Sequence, residues 1–279
     1  MYEFACTEPI TVAGRLAAGA MEVVAENRDT ATVEVVPFDG SDTSRDGAER
    51  TRVDLEGGRL LVEAPEMGLG WLLRRGPRLR VTIRVPLDSA LELKVASADV
   101  RCQGRFGQCV LNSASGDLHL AQSGADVSVH SASGDVRIDD VAGTLTADTA
   151  SGDLRIGRVG ADTGVRTASG DVSVGVAGGS VQVTTASGDV RIDSAQRGQV
   201  TVRTASGDVS VGVVRGTGLW LDLSTVSGST RNGLSMAGEA PDGTPAGGGE
   251  VDLNLSVRTV SGDIDLHRAA APAAARTDA

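Results

Sequence analysis

The chain has 279 residues, 40% of them hydrophobic but only 2% aromatic, and a formal net charge of −11. That length allows one large domain or two ordinary ones, with a core made of Val, Leu, Ile and Ala. Acidity without a long basic run argues against nucleic acid and anionic membranes as partners. No stretch reaches the roughly 20 apolar residues of a membrane helix, and the three cysteines are too few for a disulfide framework.

The first residues, Met1-Tyr2-Glu3-Phe4-Ala5-Cys6, lack the basic and apolar regions of a signal peptide. A cytoplasmic location is therefore expected, with the cell surface reached only by another export route. Residues 1–95 read as short strands, among them Met21-Glu22-Val23-Val24, Thr32-Val33-Glu34-Val35, Arg80-Val81-Thr82-Ile83 and Leu91-Glu92-Leu93-Lys94. Turn signals at Asp39-Gly40, Asp46-Gly47 and Gly57-Gly58 separate them. This segment is expected to be a β-rich N-terminal cap with the first irregular coils. Residues 66–78 read as a loop with an apolar tip that includes Trp71.

From residue 96 to 229 a repeat takes over. Ser-Gly-Asp occurs at 115–117, 133–135, 151–153, 169–171, 187–189 and 206–208, and again at 261–263. Ser97-Ala98-Asp99 and Ser227-Gly228-Ser229 are degenerate copies. Apolar residues alternate with polar ones on both sides of each motif, as in Val127-Ser128-Val129 before it and Val136-Arg137-Ile138 after it. Period-2 alternation means strands with one buried face, and β-branched residues exclude helix as the main theme. Two short strands and two corners fill about 18 residues, one coil of a solenoid that must stack to bury its inner face. The predicted fold is all-β: a parallel β-solenoid, right-handed by the rule for parallel crossovers.

The glycines Gly116, Gly134, Gly152, Gly170, Gly188, Gly207 and Gly262 are expected to supply positive φ at the corner. The flanking Ser and Asp would bond backbone N–H groups there, and the preceding Thr would satisfy a corner carbonyl. A Gly/Pro-rich insertion loop spans 230–249, a final coil 250–268, and an Ala/Pro-rich tail 269–279 that is expected to be disordered.

The serial Ala-Ser-Gly-Asp units between 114 and 209, with Val81-Thr82-Ile83-Arg84-Val85-Pro86 leading into Leu91–Val95, resemble the bacterial putative-adhesin family of β-strand repeat proteins (domain of unknown function 4097). The resemblance covers roughly residues 10–268. It implies a repetitive β fold and surface adhesion, and it brings no established catalytic residues.

Three groups of residues invite a chemical reading. Asp117, Asp135, Asp153, Asp171, Asp189 and Asp208 would stack as a column, either a row of cations or carboxylates bonded to corner amides and paired with arginine. The amide reading is preferred, since calcium solenoids use shorter repeats with more oxygen ligands per ion. Arg137, Arg155 and Arg191 stand two residues past Asp135, Asp153 and Asp189 and form an anion-binding face or simply a solvated one. Cys102 and Cys109 read as buried thiols and not as zinc ligands. The three histidines give no argument for a Ser–His–Asp arrangement. Neither a cofactor nor a catalytic residue is expected. The function read from this is a non-enzymatic scaffold or adhesin-like module for an unknown protein or glycan, expected to be a monomer. The alternatives are a polysaccharide-acting β-helix enzyme and a self-assembling structural protein.

Overall fold

The computed structural model describes residues 1–65, 76–234 and 252–269. The apolar loop tip and most of the Gly/Pro-rich insertion, as well as the tail beyond 269, lie outside the described residues. Two strands alternate around each coil. One leads into the Ser-Gly-Asp corner and belongs to what we term the leading sheet. The other leaves the corner in the trailing sheet. Leading strands such as Val127–Ser133, Leu145–Thr149 and Thr163–Ser169 pair in parallel, Val127 with Leu145 and Leu145 with Thr163. Trailing strands such as Val136–Val141 and Leu154–Val159 pair the same way, Val136 with Leu154. The register is one repeat, so identical positions of successive coils stand side by side. This is the parallel β-solenoid that the 18-residue repeat predicts.

The apolar parity becomes the core. Val127, Val129, Val136 and Ile138, with their counterparts in every regular coil, are almost wholly buried between the sheets. Branched aliphatics suit this thin, layered interior, because they can interdigitate between layers at close packing. Aromatic rings would not repeat in it: Phe106 is the one large ring that is fully buried among the described residues.

Chain order and stacking order differ at both ends. The long strands Thr11–Glu26 and Ala90–Phe106 each turn the corner and run through both sheets, paired with one another from Thr11 with Ala90 to Val24 with Gln103. On the other side of Thr11–Glu26 lie Arg59–Glu63 and Leu79–Pro86. The coil of residues 11–26 is thus held between one to which 59–63 and 79–86 contribute and one formed by 90–106. Antiparallel strands Thr30–Pro37, Tyr2–Ala5 and Arg52–Glu56 close this end. A helix, Asp42–Glu49, stands beside them, its N-terminus capped by Ser41, which accepts the Ser44 N–H. Asp46-Gly47, expected as a turn, lies inside that helix; the Ser41 cap and the ion pair Arg45–Asp42 support it.

At the far end Leu253–Ser261 pairs with Gly198–Ser206 on one side and with Leu219–Ser227 on the other. Ile264–Arg268 is likewise held between Val209–Val213 and Thr230–Asn232. The last coil in sequence is therefore inserted between its two predecessors, and residues 219–232 form the terminal coil in space.

Candidate functional site

The Ser-Gly-Asp corner is built from the backbone outward. Gly134, Gly152, Gly170, Gly188, Gly207 and Gly262 have φ between +113° and +144°. They also stack so closely that a Cβ on Gly152 would lie 2.2 Å from the carbonyl oxygen of Gly134. Two independent demands, positive φ and contact between corners, thus fall on one residue. Gly116 meets only the second: its φ is not positive, and a Cβ there would lie 2.1 Å from the Ala98 carbonyl oxygen. Before the glycine, the buried hydroxyls of Thr149, Thr167, Thr185 and Thr204 donate to the carbonyls of Ser151, Ser169, Ser187 and Ser206 at 3.0–3.1 Å.

After the glycine, each aspartate serves the next coil. Oδ1 of Asp117 accepts the N–H of Asp135 at 2.9 Å, Asp135 that of Asp153 at 3.0 Å, and Asp153 that of Asp171 at 3.1 Å. The ladder continues through Asp189 and Asp208 to Asp263. Asp263 ends it by accepting the N–H of Ser229 at 2.7 Å, and this bond holds its carboxyl below the usual range. A hydrogen bond to a charged acceptor is worth about 1.5–3 kcal/mol, whereas neighbouring carboxylates repel by about 1 kcal/mol in water. Bonding to the next coil can thus offset the repulsion along the column. No group of three or more His, Cys, Asp or Glu side chains arranged to hold a metal occurs among the described residues.

A second ladder, absent from the sequence reading, runs along the opposite corner. Asp126 accepts the N–H of Thr144 and Asp162 that of Ser180, both at 2.8 Å. The Thr144 amide lowers the pKa of Asp126. The signal was present as Asp immediately before a leading strand, but it occurs only in alternate coils.

Arg137, Arg155 and Arg191 do stand in one outward column of the trailing sheet, Arg137 beside Arg155 and Ser173 between Arg155 and Arg191. Their partners differ from those expected. Arg137 binds Asp139 at 2.9 Å and Arg191 binds Asp193 at 2.6 Å, two residues onward in the same strand; only Arg155 reaches corner aspartates, Asp153 at 3.0 Å and Asp135 at 3.8 Å. The corner carboxylates point along the rod toward the next amide, which leaves Asp139 and Asp193 as the better-placed acceptors. Asp139 also binds His119 at 2.9 Å; burial raises its pKa, but the hydrogen bonds from His119 and Arg137 outweigh this and lower it.

The leading sheet carries the arrangement that sequence reasoning did not find. Ser128 Oγ lies 3.4 Å from His130 Nε2, and His130 Nδ1 lies 3.3 Å from Asp148 Oδ2. Ser128 and His130 share one strand, while Asp148 sits beside His130 in the next coil. The order and the ring nitrogens are those of a hydrolytic triad. The surroundings are not. The His130 side chain is 51% exposed, and Asp148 is shared with Arg166 at 3.6 Å. The strand that carries Ser128 is paired on both sides, to residues 109–115 and 145–149, so its N–H groups serve the ladder and not an oxyanion.

A shallow groove of about 850 Å³ follows this sheet along the rod. Exposed Ala114, Ala132, Ala150 and Ala168 form a small-residue row beside Lys94, Asn112, His130, Asp148 and Arg166. Cys102 and Cys109 are buried free thiols, and burial pushes Cys109 up to about 12. Burial disfavours the thiolate form of both.

Three solved structures align over 95% of this chain and 95% of their own. They are a "putative lipid binding protein" from Parabacteroides distasonis (13% identity, TM-score 0.40), a "putative adhesin" from Bacteroides fragilis (13%, 0.42) and a "putative adhesin" from Parabacteroides distasonis (10%, 0.43). No curated protein matches the sequence. Residues 20–267 match the family described as Toastrack DUF4097, a span that takes in every Ser-Gly-Asp corner. The chain belongs to the Toastrack DUF4097 family.

Proposed function

We propose that the chain is a non-enzymatic binding scaffold that takes an extended ligand, a protein segment or a glycan, along the outside of its leading sheet. The observation that carries this reading is the groove beside Lys94, His130, Asp148 and Arg166, which crosses several coils at one-repeat spacing. A row of alanines keeps its floor shallow, so a polymer can contact successive coils with the same kind of group each time. Lys94 and Arg166 add cationic points to an otherwise acidic protein, which favours a ligand with anionic groups.

An array of acidic and neutral glycans and peptides, probed with the labelled protein, tests this. Binding that weakens at least tenfold in the double variant Lys94→Glu, Arg166→Glu supports it; no binding, or binding indifferent to both changes, overturns it. Ser128, His130 and Asp148 favour a second reading, a hydrolase. An exposed histidine and a strand whose amides are already paired speak against it. A fluorophosphonate probe is expected to leave Ser128 unlabelled under conditions that label a serine hydrolase fully.

A further inference from the structure

Among the described residues the terminal coil is paired along one edge only, and its chemistry differs from that of every coil beneath it. Leu219, Leu221 and Leu223 occupy core positions but are half-buried, whereas Leu253, Leu255 and Val257, one coil inward, are completely buried. Outward on the same strand, Trp220 is 50% and Val226 81% exposed. An edge strand with open N–H and C=O groups and apolar residues on both faces is a template for another strand. The opposite end of the rod carries antiparallel strands and a helix, and so gives no parallel coil edge for head-to-tail stacking among the described residues.

The corner ladder points the same way. From Asp99 onward each coil with a successor supplies an aspartate to accept the successor's N–H, and the terminal coil has Ser229 at that place. Continued parallel stacking would call for another carboxylate there; antiparallel pairing would not, because the corners of the two chains no longer coincide.

We infer that the occupant of this edge is a second copy of the chain, joined through a two-fold axis that pairs Leu219–Ser227 antiparallel with itself. A two-fold contact is self-complementary by necessity, so the strand must match its own reverse. Directly opposed residues must also face the same side of the sheet, which restricts the axis to passing through a residue. Centred on Asp222, the pairing opposes two carboxylates. Centred on Leu221, it sets Trp220 against Asp222, and centred on Ser224 it sets Val226 against Asp222. Centred on Leu223, it sets Trp220 against Val226, an aromatic–β-branched pair of the kind that stabilises sheets, and Asp222 against Ser224. Leu221 then meets Thr225 inside, and the half-buried leucines of both copies close a continuous core. The two exposed apolar residues of the strand become each other's partners in this register alone.

Light scattering coupled to gel filtration on the full chain decides the matter. The expected mass is twice 28.4 kDa at micromolar concentration. The double variant Trp220→Lys, Val226→Lys, which alters exposed positions only, should run as a folded monomer with an unchanged circular dichroism spectrum. Leu223→Cys should give a reducible covalent dimer on mild oxidation, since directly opposed residues lie within disulfide reach and the three native cysteines are buried. A native chain of 28.4 kDa at all concentrations overturns the inference, as does a dimer that survives the double variant.

Discussion

Glycine in this solenoid is set apart by position. Gly152 has φ +113° and would place a Cβ 2.2 Å from the Gly134 carbonyl; Gly164, on the outward face of the leading sheet, has open space to 3.9 Å and no positive φ. Gly152→Ala is therefore expected to cost more than about 2 kcal/mol, and Gly164→Ala to be neutral or stabilising by up to about 1 kcal/mol, read from urea midpoints. Equal effects would mean that the corner relaxes and that close stacking imposes no constraint. The aspartates separate by acceptor and charge. Asp171 accepts the N–H of Asp189 at 2.8 Å. Asp171→Asn keeps an oxygen for that amide and removes one like charge from the column, so stability should hold within about 0.5 kcal/mol; Asp171→Ala should lose about 1 kcal/mol. Millimolar calcium should leave the melting temperature of the native chain unmoved. A rise in melting temperature that Asp171→Asn abolishes would instead make the column a cation site.

At the scale of the element, insertion of residues 253–268 between two earlier coils changes which part of the chain is exposed to fraying. A solenoid stacked in chain order would have its C-terminal segment at the edge. Here that segment is paired on both sides, and 219–232 takes the edge. The N-terminal end uses the same device, with residues 11–26 held between later segments. Since coil stability comes largely from neighbouring interfaces, a coil with two neighbours outlasts a coil with one. Leu255→Ala, at a fully buried site, should cost about 2–5 kcal/mol, and Leu221→Ala, half-buried in the terminal coil, less than half as much in dilute solution. In the monomeric variant Trp220→Lys, Val226→Lys, hydrogen exchange should likewise be slower in 253–261 than in 219–227, although 253–261 comes later in the chain. The reverse order would show that the segments stack in sequence.

Over the whole molecule, the architecture was readable because each coil repeats one solution: Gly turns, Thr satisfies a carbonyl, alternate Val and Ile fill the core. What lay outside that repeat was harder to read. The order of the end coils depends on pairing between distant segments, which spacing alone does not encode, although Ser229 in place of Asp marked the end of the ladder. The approach of Ser128, His130 and Asp148 depends on which residues of successive coils share a register, and it became visible only once Asp148 stood beside His130. Charge, too, acts on the molecule as a whole. Below neutral pH, protonation first relieves the repulsion of a −11 chain, which favours the fold weakly and is screened at physiological salt. Specific carboxylates act the other way. Hydrogen bonds from Arg105 lower the pKa of Asp88, those from Arg59 lower that of Glu92, and backbone amides lower those of Asp126 and Asp263. A depressed folded-state pKa contributes stability that is fully present above the unfolded value, near 4, and is lost as pH falls through the folded value. The urea midpoint at physiological salt should therefore stay nearly flat from pH 8 to 5 and fall steeply below about pH 4. A midpoint that holds or rises on acidification to about pH 3 would show that repulsion along the aspartate columns, and not their bonding to the next coil, governs the stability of the rod.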